Sequence, residues 1–93
     1  MQPITTIQQC NAASQAIGNS DITATLTMDS PRPEGCYNNG GDNNNLLLAI
    51  NSENQGNGAD STRHPICKTT GLLHTWSIST AKLTHENVIR LIY

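Results

Sequence analysis

The clearest pattern in the sequence is the strict alternation of ITATLTM at residues 22–28. Apolar side chains occupy every second position of this stretch, and threonines occupy the positions between them. A period of two, built from apolar and β-branched residues, is typical of a strand with one buried face and one face in solvent. Such a strand needs a sheet beside it and a second layer over its apolar face. The chain is therefore expected to fold in layers around a sheet.

A second layer is available near the N-terminus, where residues 6–17 read TIQQCNAASQAI. Its apolar and small side chains recur three and four positions apart, which predicts one buried helix face. The residues on this face are Ile7, Cys10, Ala13, Ser14 and Ile17. Thr6 and Gln9 have the spacing of a capping box, and Gly18 is a residue that ends helices. We therefore predict a helix over residues 6–17, which must pack on the sheet to be stable because it is short.

Three further stretches are predicted strands. Residues 46–50 (LLLAI) form an apolar run that is too short for a helix and fits a central strand. Residues 72–79 (LLHTWSIS) alternate, and residues 87–93 (NVIRLIY) are rich in β-branched side chains, although a helix beginning at Thr84 is the alternative. The order of elements predicts an α+β fold, with a short N-terminal helix packed on a small antiparallel β-sheet. An all-β sandwich is the alternative if the first segment is not helical.

The chain is expected to be one domain, because 93 residues are enough for one core. Long loops rich in Asn and Gly are predicted at 29–45 and 51–71. The hydrophobic share is 35% and the chain contains no Phe, whereas ordinary domains are about 45–50% apolar. A core this thin usually needs a covalent or metal staple.

Three cysteines can supply a covalent staple. Cys36 and Cys67 both fall in predicted loops, whereas Cys10 falls on the predicted buried helix face. We therefore favour a disulfide between Cys36 and Cys67, with Cys10 as a buried thiol. Pairing of Cys10 with either of the other two stays open, because the entropy of loop closure depends too weakly on loop length to choose.

A metal staple is not favoured. Calcium sites need several carboxylates at short spacing, but Asp42 stands alone in the stretch GCYNNGGDNNN that begins at Gly35. Zinc spacing is absent, because no C-x₂-C or H-x₃₋₅-H pair occurs. The same stretch lacks the helix that a phosphate-binding glycine loop requires, and its Asn and Gly residues are typical of left-handed turns. No cofactor or metal is expected.

Charge and hydropathy argue against a nucleic-acid partner and against a membrane span. The net charge is −2 and no basic stripe exists, so nucleic-acid binding driven by counterion release is not expected. No apolar run approaches the ~18 residues of a membrane span. A low content of charged residues with eleven Asn and eleven Thr is common in secreted β-rich chains, so an extracellular location is expected.

Catalytic residues are not evident in the sequence. His64, His74 and His85 are candidates for acid–base chemistry, and the predicted layout is similar to that of small secreted ribonucleases, which place His, Glu and Arg on a sheet beside one helix. However, His85 and Glu86 are neighbours, so on a strand they would point to opposite faces. The resemblance concerns architecture alone, and architecture does not determine function.

Surface recognition is therefore the expected function. The candidate binding residues are aromatic, Arg and His side chains, because aromatics and Arg are enriched as interface anchors. They are Tyr37, Arg63, His64 and Trp76, with Tyr93 as a further exposed candidate. The composition is similar to that of effector and toxin proteins, so we expect a monomeric, secreted, non-enzymatic protein that binds a protein or glycan partner. A compact secreted hydrolase and an adhesin subunit that assembles by strand addition are the alternatives.

Overall fold

The computed structural model describes residues 2–68, together with the backbone of the strand Val88–Arg90. The predicted strand at 72–79 lies outside these residues, as do His74, Trp76, His85 and Tyr93. The predicted C-terminal strand is confirmed at Val88–Arg90.

The described residues form one α-helix, a short 3-10 helix at Ser52–Asn54 and a six-stranded sheet, which confirms the α+β prediction. The elements are β1 (Gln2–Pro3), α1 (Ile7–Ala16), β2 (Thr25–Thr27), β3 (Gly35–Asn39), β4 (Asn45–Ala49), β5 (Arg63–Lys68) and β6 (Val88–Arg90). The strand order is β1-β5-β3-β4-β2, and β6 also pairs with β5. All pairs are antiparallel except β2 with β4, which run parallel.

Helix α1 begins and ends as its sequence predicts. The Thr6 hydroxyl accepts a hydrogen bond from the Gln9 backbone N–H at 3.3 Å. Gly18 has a φ of 76°, a left-handed conformation that glycine adopts at little cost. The N–H groups of Gly18 and Asn19 donate back to the last turn of the helix, which closes a Schellman motif. The predicted apolar face is confirmed, because Cys10, Ala13 and Ser14 are buried.

The two predicted long loops are shorter than expected. Residues 29–45 include β3, and the region 51–71 includes β5. Strand β3 lies between β4 and β5, so both of its edges are hydrogen-bonded. Its sequence GCYNN lacks β-branched residues, and tertiary pairing overrides this weak local preference. The Asn-rich stretch is therefore the β3–β4 hairpin, in which Asn43 and Asn44 take left-handed conformations in the turn.

The sheet is covered on its two faces by different layers. On one face, which we call the helix side, α1 packs on β4 and β5 over a core that includes Ile4, Leu46, Leu48 and Ile66. On the opposite face lie the segments 29–34 and 51–60, which we call the loop layer. Tyr37 belongs to this second face, because it neighbours the helix-side residue Cys36 along β3 and side chains alternate along a strand.

The predicted disulfide between Cys36 and Cys67 is wrong. Cys10 is bonded to Cys36, with their Cα atoms 5.5 Å apart, and Cys67 is a buried free cysteine. The reason is the alternation of side chains along strands. Tyr37 pairs with Pro65, so Cys67 shares the loop-layer face with them, whereas Cys36 faces α1. Two cysteines on opposite faces of a sheet cannot be bridged.

Candidate functional site

The two segments of the loop layer are joined to each other by asparagine side chains rather than by a β-ladder. Asn54 is buried, and its Oδ1 accepts from the Arg32 backbone N–H at 2.9 Å while its Nδ2 donates to the Asp29 carbonyl at 2.8 Å. Asn57 Nδ2 donates to the Arg32 carbonyl at 3.0 Å, and Asn51 Nδ2 donates to the Met28 carbonyl at 3.0 Å. Each of these amides forms hydrogen bonds with backbone groups that have no partner in a β-ladder. The segment that carries Arg32 is therefore fixed in place.

A cavity of about 480 Å³ opens between these two segments and the start of β5. Its volume lies within the range of about 300–1,000 Å³ that is usual for small-molecule sites. We call it the arginine pocket, and it is lined by Pro31, Arg32, Gly56, Asn57, Gly58, Asp60 and Arg63.

Arg63 is held in the pocket by Asp60. Its Nη1 donates to Asp60 Oδ2 at 2.8 Å, and Asp60 Oδ1 accepts from the backbone N–H groups of Thr62 and Arg63. Burial by itself would raise the pKa of Asp60, but these hydrogen bonds and the charge of Arg63 outweigh it, so that the pKa lies below its ordinary value of 3.8. Asp60 is therefore a carboxylate near neutral pH and a poor proton donor there.

The contact between Asp60 and Arg63 is expected to depend on pH. The pKa of Asp60 is lower in the folded protein than its ordinary value of 3.8. The contact therefore stabilises the fold fully at pH values above 3.8. This stabilisation is lost as the pH falls through the pKa of Asp60 in the folded protein. In urea unfolding, Asp60→Asn should be less stable than the wild type at about pH 5–7, and this difference should shrink below about pH 4. The difference should be small, because exposed ion pairs contribute little. A difference that stays constant down to about pH 2 would contradict this assignment.

Tyr37 does not lie on the surface as predicted. Its relative exposure is 1%, and it forms part of the buried floor between the sheet and the loop layer. Burial raises the pKa of its hydroxyl, and the nearby positive charges of Arg32 and Arg63 partly offset that effect. Tyr37 is therefore a buried residue near Arg32 and Arg63, and it is not exposed for contact with a partner.

The structure separates the other predicted binding residues. Arg63 and His64 are neighbours on β5, so their side chains point to opposite faces of the sheet. Arg63 lines the arginine pocket, whereas His64 lies near Gly40 in the β3–β4 turn. The predicted contact residue Trp76 lies outside the described residues.

Metal-binding side chains do not converge in the described ranges, where no group of three or more His, Cys, Asp or Glu could hold an ion. In the β3–β4 turn, Asp42 Oδ2 accepts from Asn45 Nδ2 at 2.9 Å. Cys67 is a poor nucleophile, because burial raises the pKa of its thiol. No helix within residues 2–68 and 88–90 has the length and apolar composition needed to cross a bilayer.

A second candidate site lies on the helix side, at the β2 edge of the sheet. Cys36 pairs with Leu48 and Leu48 pairs with Leu26, so the three side chains form one row on one face. Leu48 is 2% exposed, whereas Leu26 is 53% exposed. The difference arises because the short helix α1 packs on β4 and β5 and leaves β2 uncovered.

Exposed apolar side chains lie on and next to this uncovered strand. We call them the apolar edge face: Leu26 is in β2, Ile22 and Met28 lie before and after it, and Ile50 follows β4. The strand predicted over residues 22–28 forms only at Thr25–Thr27. The prediction that its apolar face is buried is wrong for Leu26 and its exposed neighbours, whereas Ala24 is partly buried against the core. An Asp stands at each end of this strand segment, Asp21 before it and Asp29 after it. The Asp29 side chain is 67% exposed and lies 3.9 Å from Arg32, which is a weak surface contact.

The backbone edge of β2 offers few free hydrogen-bonding groups. The Ala24 N–H donates to Asn11 Oδ1 at 2.7 Å, and the Met28 carbonyl accepts from Asn51. The Thr27 carbonyl accepts from the Ile50 N–H, so Thr27 faces β4. Alternate residues of a strand turn their N–H and C=O groups to opposite sides. Thr25 and Thr27 therefore face β4, and the N–H and C=O of Leu26 face away from it.

Comparison with known proteins identifies no relative of this chain. No protein-family model, no curated protein and no solved structure matches it. The two candidate sites lie on opposite faces of the sheet.

Proposed function

We propose that this chain is a small secreted binding protein of the effector or toxin type, which recognises a partner protein through the apolar edge face. The observation that carries the proposal is the row of Cys36, Leu48 and Leu26, in which a buried core face continues into solvent. Contiguous exposed apolar patches on small soluble proteins mark interaction sites. The Cys10–Cys36 disulfide is compatible with an oxidising, extracellular location.

The charge around the patch favours one kind of partner. Asp21 and Asp29 stand at the two ends of the β2 segment, and the whole chain has a net charge of −2. Complementary potentials fix the orientation and choice of partner at interfaces. We therefore assign the apolar edge face to a partner segment that carries apolar side chains flanked by Lys or Arg.

Packing of side chains is favoured over strand addition. Strand addition relies on a run of free backbone groups along a sheet edge. At β2, Asn11 and Asn51 already bind the backbone at Ala24 and Met28, so Leu26 alone is left to offer such groups within the strand. The adhesin alternative therefore has little backbone to use at this edge.

A hydrolase is also less favoured than a binding protein. The arginine pocket contains one carboxylate, Asp60, whose lowered pKa leaves it ionised, and His64 lies on the other face of the sheet. General acid–base catalysis needs a group that can exchange a proton near neutral pH, close to the reacting atoms. Among residues 2–68, no side chain lining this pocket has that property.

Selection of peptides from a random displayed library tests the proposal. We expect enriched peptides to contain apolar residues flanked by Lys or Arg, and to bind the wild type less tightly as salt rises from ~0.05 to ~0.5 M. The double variant Leu26→Ser, Met28→Ser should bind them at least about tenfold more weakly, since burying an apolar side chain is worth about 1.5–3 kcal/mol. The matched control is Thr25→Ser, an exposed position on the other face of the same strand.

Two results would contradict the proposal. Equal affinity of the selected peptides for the wild type and the double variant would place their site elsewhere. Sedimentation velocity provides the second check. If the wild type forms dimers and the double variant is monomeric, a second copy of this chain occupies the apolar edge face. The proposal that this face recognises a different protein would then be wrong.

A further inference from the structure

We propose that the arginine pocket binds a tetrahedral oxyanion, presented by a small phosphate- or sulfate-bearing molecule. This inference is independent of the proposed function, because the pocket lies in the loop layer and the apolar edge face lies on the helix side.

Both guanidinium groups that line the pocket keep unused hydrogen-bond donors. Arg32 Nη1 donates to the Pro31 carbonyl at 2.7 Å, and its Nη2 lies 3.9 Å from Asp29, too far for a hydrogen bond. Arg63 Nη1 donates to Asp60, and its Nη2 has no acceptor in the described part of the chain; its Nε also lacks an acceptor there but is buried away from the cavity. Each guanidinium carries five N–H donors, so both arginines keep donors that lack a protein acceptor in residues 2–68.

Two guanidinium groups border the same cavity. Arg32 and Arg63 line the same space of about 480 Å³ from two different chain segments. A guanidinium is a planar fork that donates paired hydrogen bonds to phosphate or carboxylate oxygens. Two forks from two directions suit a tetrahedral group, whose oxygens point to several sides, better than a planar carboxylate.

Hydrogen bonds within the protein hold the segments of the arginine pocket in place without a ligand. Asn54 and Asn57 bind the backbone N–H and the carbonyl of Arg32, and Asp60 binds the side chain of Arg63. A ligand therefore does not have to order these segments, and preorganisation of this kind favours affinity. The glycines at 56 and 58 leave the rim of the pocket free of side chains that would fill it.

The carboxylates of Asp29 and Asp60 reduce the positive charge but do not close the pocket. Asp29 is mostly exposed, so water screens its effect on Arg32. Asp60 accepts a hydrogen bond from Nη1 of Arg63 and leaves Nη2 of that guanidinium for a ligand. We therefore expect specific but modest affinity for an inorganic anion, and higher affinity when the anion carries an organic group that fills the cavity.

Titration followed by ¹⁵N–¹H NMR tests this proposal with defined probes. Inorganic phosphate, inorganic sulfate, ribose 5-phosphate, ribose and acetate are added separately at constant ionic strength. We expect phosphate, sulfate and ribose 5-phosphate to shift the backbone signals of Arg32, Gly56, Gly58 and Arg63, with ribose 5-phosphate binding most tightly. A difference between phosphate and sulfate identifies which of the two groups the natural ligand carries.

Two variants and one matched control complete the test. Arg32→Gln and Arg63→Lys should each weaken binding of ribose 5-phosphate by at least about tenfold, because each removes a fork that donates charge-assisted bonds. Gln8→Glu changes the net charge by the same amount as Arg32→Gln, lies on the exposed side of α1, and should leave the affinity unchanged.

Three outcomes would overturn the proposal. The first is no saturable shift in the pocket with any of the three oxyanion probes. The second is a loss of affinity in Gln8→Glu equal to that in Arg32→Gln, which would show that net charge alone governs binding. The third is binding of acetate as tight as that of phosphate, which would remove the tetrahedral assignment.

Discussion

Removal of the Cys10–Cys36 disulfide is expected to lower the free energy of unfolding by about 3.5 kcal/mol, which follows from loop-closure entropy for a sequence separation of 26. A domain of this size has a total stability of roughly 5–14 kcal/mol, so the loss is a large share of it. Both cysteines are fully buried, at the point where α1 meets β3. The disulfide therefore anchors the helix to the sheet as well as restricting the unfolded chain.

Urea unfolding of the double variant Cys10→Ala, Cys36→Ala measures this loss. Cys67→Ala is the control, because it removes the free cysteine and keeps the disulfide. Reductant should lower the free energy of unfolding of Cys67→Ala by about as much as the Cys10→Ala, Cys36→Ala substitutions lower that of the wild type. It should not change the free energy of unfolding of the double variant, which has no disulfide to reduce. Peptide mapping without reductant should recover Cys10 linked to Cys36. Recovery of a peptide that links Cys36 to Cys67 would contradict the structure.

Replacement of Asn54 by Ala should destabilise the protein by about 2–3 kcal/mol, because its buried side chain makes two hydrogen bonds to partly buried backbone groups, worth about 1–1.5 kcal/mol each. These groups are the Arg32 N–H and the Asp29 carbonyl. The same substitution should release the segment that carries Arg32. We therefore expect faster amide hydrogen exchange at Arg32, together with weaker binding of any anion in the arginine pocket.

The matched control is Asn57→Ala, in the same loop. Asn57 is exposed and its side chain donates one hydrogen bond, to the Arg32 carbonyl, so the expected loss in urea unfolding is about 0.5–1 kcal/mol. Equal losses for the two variants would show that burial of Asn54 does not matter. Unchanged exchange at Arg32 in Asn54→Ala would show that other contacts hold this segment.

The two sites give the two faces of the sheet different chemistry. The helix side carries an apolar surface that suits protein contact, and the loop layer carries a charged pocket that suits a small anion. The test variants of each site leave the other site unaltered, so the two proposals can succeed or fail separately.

Residues close together in sequence explain which elements could be predicted. The bond between Thr6 and Gln9 spans three residues, and Gly18 ends α1 through its own backbone conformation. The LLLAI run became β4, since a short apolar run between polar residues has few other stable environments. Helix α1, β4 and the α+β class were therefore predictable from the sequence.

Candidate binding residues were harder to predict, because exposure depends on what covers a side chain. Tyr37 is buried by the loop layer, and Leu26 is exposed because α1 packs mainly on β4 and β5. Arg32 was not among the predicted binding residues. Its role depends on Asn54 and on Arg63, which are 22 and 31 positions away in the chain. No local pattern marks such a residue.

The sequence by itself determined helix α1, strand β4 and the need for a covalent staple, because capping, a short apolar run and a small apolar content act within short stretches or on the whole chain. The tertiary structure alone decided which cysteines pair, which strand stands at the edge and which arginines share a cavity. Each of these depends on the face of the sheet to which a side chain points, and strand register sets that face. A shift in register by one residue would place Cys36 away from α1 and Leu26 away from the helix side.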